Sequence, residues 1–204
     1  MEFGLSEDQK LLQESIGGTL DKISPLERVR EAADKGETQA ADITQALAGL
    51  GVYGMMVPEA HGGLGLGLLD AALVAEMLGR HVAPAGFIAT AVMAPIALAG
   101  AGSKAQQEAW LPKLASGEAK AGAAIAEAAS GAREGAGVTA TGGKLNGKSL
   151  FALEAEEADI IIVADKAGGL HLVKGDAKGL TEVKLTSIDL TRGLSELQFD
   201  NVEA

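Results

Sequence analysis

The sequence predicts an α+β multidomain chain, an all-α amino-terminal domain followed by a small antiparallel β-barrel or sandwich. Three observations carry this. Apolar residues recur at helical spacing through the first half, and beyond Gly117–Ala121 short apolar runs alternate with glycine-rich turns. The composition, 47% hydrophobic and 22% charged over 204 residues, supports a packed core rather than a disordered chain. The predicted domains are 1–118 and 119–204.

The helices come first. Ser6 with Gln9 spells a capping box, and Leu12, Ile16, Leu20 and Ile23 follow on one face. A second helix runs through Ile43, Leu47 and Leu50, with Gly51 as its C-cap. Val52–Val57 reads as a buried extended segment. Pro58 then turns the chain into the loop HGGLGLG (His61–Gly67), whose glycines permit positive φ or close backbone packing. Leu69, Leu73, Val74, Met77 and Leu78 form another stripe that ends near Gly79. An alanine-rich helix follows Pro84, and a last one starts at Ser103, boxed with Gln106 and carrying Trp110, Leu111 and Leu114.

The strands follow as short runs, Gly122–Ala126, Asp159–Ala164, Leu170–Val173, Leu180–Leu185 and Glu196–Val202, separated by clusters such as TGGK, DKAGG and GDAKG. Regular spacing with glycine turns indicates an antiparallel barrel or sandwich.

A net charge of −11 disfavours nucleic acid and anionic membranes as partners. The absence of cysteine excludes disulfides, thiolate metal sites and cysteine nucleophiles. The start, MEFGLSEDQK, lacks the basic and apolar regions of a secretory signal, and no apolar run reaches membrane-spanning length. The expectation is a soluble cytoplasmic protein with no membrane span.

Gly142–Ser149, GGKLNGKS, fits the phosphate-loop pattern G-x-x-x-x-G-K-[ST], and Asp159–Asp165, DIIIVAD, resembles a magnesium-binding strand. That chemistry needs a buried strand before the loop and a helix after it. The flanks here read as hairpins, so the expectation is a β-turn over Thr141–Lys144 and a second turn at Asn146-Gly147. His61, His81 and His171 are far apart and read as loop or surface residues without metal spacing. Glu154–Asp159, with Glu156 and Glu157 side by side, reads as a solvated turn. Trp110, on an apolar helical face, reads as core.

Six phrases, taken in order, resemble the acyl-CoA dehydrogenase family: FGLSEDQKLLQESI, GVYGMMVPEAHGGLGLG, LVAEMLGR, QQEAWLPKLASGE, KLNGKSLFALEAEEADIIIVA and IDLTRGLSELQFDNVEA. The resemblance covers nearly the whole chain. It implies a helical domain, a β-domain and a carboxy-terminal four-helix domain, with FAD between the last two. It implies that a glutamate removes the α-proton of an acyl-CoA thioester while the flavin takes the β-hydride, electrons then leaving to an electron-transfer flavoprotein. The four-helix domain is absent after FDNVEA. In most of the family it carries the glutamate, so no catalytic residue is assigned here and the chain reads as a fragment, inactive alone. No metal ligand is assigned.

By the same resemblance the flavin would lie along Ile125, Ala126, Glu127, Ala132, Phe151 and Leu153. The family phrase T-E-P-G-x-G-S-D stands here as AEAASGAR, so Ala126 replaces Thr, Ala132 replaces Ser and Arg133 replaces Asp. The phrase W-[IV]-[ST] stands as Phe151, Ala152 and Leu153. Each lost side-chain hydrogen bond is worth about 0.5–1.5 kcal/mol, so the flavin site reads as weakened rather than abolished, served by backbone N–H groups at Ala126 and Leu153. Such erosion resembles the heteromeric branch that acts on sterols and other bulky substrates. The expected state is a homo- or hetero-oligomer. The alternatives are a non-catalytic partner subunit with an eroded flavin site and, from another class, a nucleotide hydrolase using Lys148.

Overall fold

A computed structural model describes residues 4–204, so residues 1–3, including the Phe3 that opens the first family phrase, lie outside the described residues. Helices come first: α1 (Glu7–Ile23), α2 (Leu26–Lys35), α3 (Ala41–Gly49), α4 (Leu68–Arg80), a π-helical segment Ile88–Met93, α5 (Ala94–Ala101) and α6 (Lys104–Ala115). The strands are β1 (Ala121–Ala124), β2 (Gly137–Thr141), β3 (Lys144–Leu153), β4 (Ile160–Ala164), β5 (Leu170–Lys174), β6 (Leu180–Lys184) and β7 (Leu194–Glu203), with a short helix α7 (Ala126–Ser130) after β1.

Both capping boxes form. Ser6 Oγ accepts from Gln9 N at 3.2 Å and Ser103 Oγ from Gln106 N at 3.3 Å. Ile16 and Leu20 are buried against α3 and α4 together with Ile43, Leu47, Val74 and Leu78. Helix α2 was not anticipated. Pro25 precedes it, Gly36 at φ 70° stops it, and it buries only Val29 and Ala32, too thin a stripe to read.

Val52–Val57 is not extended. Gly51 takes φ 76°, and a 3-10 turn over Val52–Gly54 leads into further turns. Consecutive residues Val52, Tyr53, Gly54 and Met55 are all buried, which a strand with one buried face cannot achieve. The glycine loop packs on this turn through its backbone. Leu64 N donates to Gly54 O at 2.9 Å and Leu66 N to Met55 O at 2.7 Å. At Gly63 a Cβ would lie 2.0 Å from Val57 O, so only glycine fits.

The strands form one sheet in the order β5-β4-β1-β3-β7-β6, with β2 also paired to β3. All pairs are antiparallel except β1–β4, so the sheet is mixed. Strand β4 is buried on both faces, which explains its unbroken apolar run. Ile161 and Val163 join the sheet's own core with Leu145, Leu197 and Phe199, while Ile160 and Ile162 pack against Leu98, Leu111 and Leu114 of the helices.

Two local expectations fail here. Asn146-Gly147 makes no turn; it is a bulge within β3, where the register with β7 shifts between Leu145 and Gly147. Gly147, at φ 120°, lets β2 approach so closely that a Cβ would meet Gly137 O at 2.3 Å. Ala126 does not end a strand: β1 stops at Ala124 and Ala126 opens α7. The expected Thr141–Lys144 turn does form, joining β2 to β3 through Gly142 and Gly143, both at positive φ.

Candidate functional site

The residues singled out for the flavin fall on α7 and the far end of β3. Strand β3 bulges again between Ser149 and Ala152, where the ladder to β7 skips a residue. Phe151 sits in this bulge at φ 57° and is 41% exposed. Glu127 of α7 makes good what the ladder loses: its carboxylate accepts from Ser149 Oγ at 2.7 Å and from Leu150 N at 2.5 Å. Two phrases more than twenty residues apart are thereby locked into one unit.

Ile125 caps α7, Ala126 opens it, and both are half-buried. Leu153, half-buried, lies opposite Ala123 on β1 and Leu194 on β7. Ala132 is exposed and, with Glu127, Val138, Asp165 and Lys166, lines a neighbouring cleft of about 320 Å³. Phe151 and Leu153 lie outside that lining. The Arg133 guanidinium stands over the Phe151 ring, 5.0 Å from its centroid. The side chains at 126, 132 and 153 offer no polar atom. The groups therefore fit a planar ring held by stacking and backbone contacts, not one held by side-chain hydrogen bonds.

Next to this unit is a buried acid that sequence reasoning missed. Glu154 was expected in a solvated turn, but it is 5% exposed and at φ 52°. Its carboxylate accepts from Ile88 N at 3.1 Å and Ala89 N at 2.9 Å, joining the sheet to the start of the π-helical segment. Arg192 Nη1 lies 3.9 Å away. Burial pushes the Glu154 carboxyl above its ordinary range, and the two backbone bonds and Arg192 offset part of that rise. Thr90 adds a second tie, donating to Ala121 O at 3.2 Å and accepting from Ala121 N at 3.0 Å. Glu156 is also not free in solvent: it accepts from Thr38 Oγ1 and from Lys184 Nζ, each at 3.1 Å. Glu157 is exposed and pairs with Lys120 at 3.1 Å.

The phosphate-loop match has no supporting geometry. Lys148 lies in β3 and pairs with Glu196 Oε1 at 3.0 Å, and no helix follows the glycines. Asp165, at the end of β4, accepts from Ala167 N and Gly169 N, both at 2.8 Å, and holds His171 at 2.9 Å. His81 lies between Met77 O at 2.8 Å and Asp21 at 3.0 Å. Among the described residues no three His, Asp or Glu side chains group as metal ligands, and no helix is long and apolar enough to cross a membrane. Trp110 is half-buried, packed against the core cluster of Leu98, Leu111 and Leu114. It lines a cavity of about 860 Å³ with Lys144, Ile160 and Leu172.

Residues 6–118 match the family described as acyl-CoA dehydrogenase, N-terminal domain. The mitochondrial very long-chain specific acyl-CoA dehydrogenase of Mus musculus is 30% identical over 200 residues, 92% of this chain and 29% of its own length. A glutaryl-CoA dehydrogenase from Mycobacterium smegmatis, solved in complex with FADH2, has the same fold, with a TM-score of 0.80 at 22% identity over 97% of this chain and 54% of its own. A variant of the Tcur3481-Tcur3483 steroid ACAD gives a TM-score of 0.82 at 28% identity, over 96% of this chain and 55% of its own. The chain thus spans little more than half of the two solved proteins and under a third of the mouse relative.

Proposed function

The chain belongs to the acyl-CoA dehydrogenase family, and on that footing we propose that it is the flavin-holding part of an FAD-dependent enzyme that desaturates an acyl-CoA thioester. The observation that carries this is the α7–β3 unit. Glu127 fixes the bulge that turns Phe151 outward, at the positions where the family phrases fall. Ile125, Ala126 and Glu127 would line the flavin with backbone, Phe151 would stack on its ring, Leu153 would present its N–H, and Ala132 would border the cleft. When bound, the flavin supplies the hydride acceptor.

The chain's own residues position the ring and exclude water, and the two carboxylates set against the α7–β3 unit are already engaged. Glu127 is committed to Ser149 and Leu150, and Glu154 to Ile88 and Ala89. The family resemblance places the base on a carboxy-terminal helical domain that the 204 residues do not include, so we assign no catalytic residue here and expect these residues by themselves to be inactive. We take 1–118 and 119–204 as its two domains, acyl-CoA as substrate, an electron-transfer flavoprotein as acceptor, an oligomer as the working state and the cytoplasm as its compartment. The 28% identity with the steroid ACAD supports lipid or sterol catabolism. A second reading, a non-catalytic partner subunit, is favoured by the apolar side chains at Ala126, Ala132 and Leu153.

Titration of the purified chain with FAD, followed by flavin fluorescence, tests the proposal. Saturable one-to-one binding is expected. The double substitution Ala126→Thr with Ala132→Ser should tighten it by about two- to tenfold per restored hydrogen bond. No binding by either protein would defeat the reading that these residues hold FAD by themselves and would favour the partner-subunit reading.

A further inference from the structure

We propose that Arg133 is a displaceable cover on the Phe151 ring, so that a planar ligand reaches this site only by displacing the guanidinium. The inference rests on the flavin reading above. Phe151 presents its ring from a bulge at positive φ, and Arg133 Cζ lies 5.0 Å from the centroid, within cation–π range. In a chain of net charge −11, Arg133 has no carboxylate within ion-pair distance among the described residues. Its guanidinium lies instead against the Phe151 ring.

The segment carrying it is exposed and lightly tied to the rest of the fold. Gly131 and Gly135, at φ 86° and 78°, flank it, and residues 131–133 are exposed coil. One backbone bond, from Ala136 N to Arg133 O at 3.0 Å, closes the turn. Displacing the guanidinium therefore breaks one exposed cation–π contact and leaves α7 and its Glu127 bonds intact. Stacking a ring on Phe151 and keeping Arg133 on the same face are mutually exclusive. The cation thus sets a threshold that favours ligands with a large planar surface.

The test is FAD titration of wild type, Arg133→Ala, Phe151→Ala and the double variant, with the Arg133 side-chain proton shifts followed by NMR. Arg133→Ala should tighten FAD binding about two- to fivefold, and this gain should vanish in the Phe151→Ala background. In the free protein the Arg133 δ-protons should show a ring-current shift that Phe151→Ala abolishes and saturating FAD removes. Arg133→Ala that leaves affinity unchanged or weakens it, while FAD still binds, overturns the cover and spares the flavin reading. An Arg133 shift insensitive to Phe151→Ala overturns the cover whatever flavin does. FAD binding by none of the variants overturns the flavin reading and the cover with it.

Discussion

Glu154 illustrates how much one side chain decides at the seam between helices and sheet. Its carboxyl is raised above the ordinary 4.5 by burial, so the folded state holds its proton more tightly than the unfolded chain does. Its contribution to stability is therefore full below 4.5 and is lost as pH rises through the higher folded value. Asp165 acts oppositely: the His171 hydrogen bond, with those from Gly169 and Ala167, holds its carboxyl below 3.8, so its contribution is lost only in stronger acid. Glu154→Gln removes the Glu154 titration but leaves one of the Ile88 and Ala89 amides without an acceptor, a cost of about 1–3 kcal/mol. Urea unfolding from pH 5 to 8 should show wild type losing stability with rising pH relative to the variant; parallel curves would refute the assignment. None of this was legible in EAEEAD, which reads as solvent-facing. The groups that bury Glu154 lie on an element 65 residues away, and no local pattern encodes them.

At the scale of elements, legibility follows range. The boxes at Ser6 and Ser103 are three-residue events and read directly from the sequence. Val52–Val57 misleads because its β-branched and aromatic residues favour strand, while the glycine loop and α6 draw them into a turn. The phosphate-loop pattern is set aside by its flanks, and its glycines do serve a hairpin, with a bulge in place of the second turn. A glycine pressed against backbone and one on an open helix face should respond oppositely to a methyl group. Gly63→Ala drives a Cβ into Val57 O and should destabilise by about 1–3 kcal/mol. Gly18→Ala, in exposed α1 with nothing within 4 Å, should stabilise by up to about 1 kcal/mol. Denaturant midpoints of the two variants check both signs; a neutral Gly63→Ala would contradict the close approach.

For the whole molecule, helices and sheet meet through an apolar layer of Leu98, Leu111, Leu114, Ile160 and Ile162, with Glu154 and Thr90 as its polar ties. The order of helices then strands was readable from periodicity, but the parallel β1–β4 pair was not, because strand direction depends on pairing between segments almost forty residues apart. The site positions came from family phrases, and the Glu127 link between two of them is what geometry adds. The central claim is that FAD occupies the α7–β3 unit. Hydrogen–deuterium exchange of the purified chain with and without FAD tests it most directly. Protection confined to residues 125–133 and 149–154 is the expected result. Protection at the Trp110 cavity instead, or no change at saturating FAD, would contradict it.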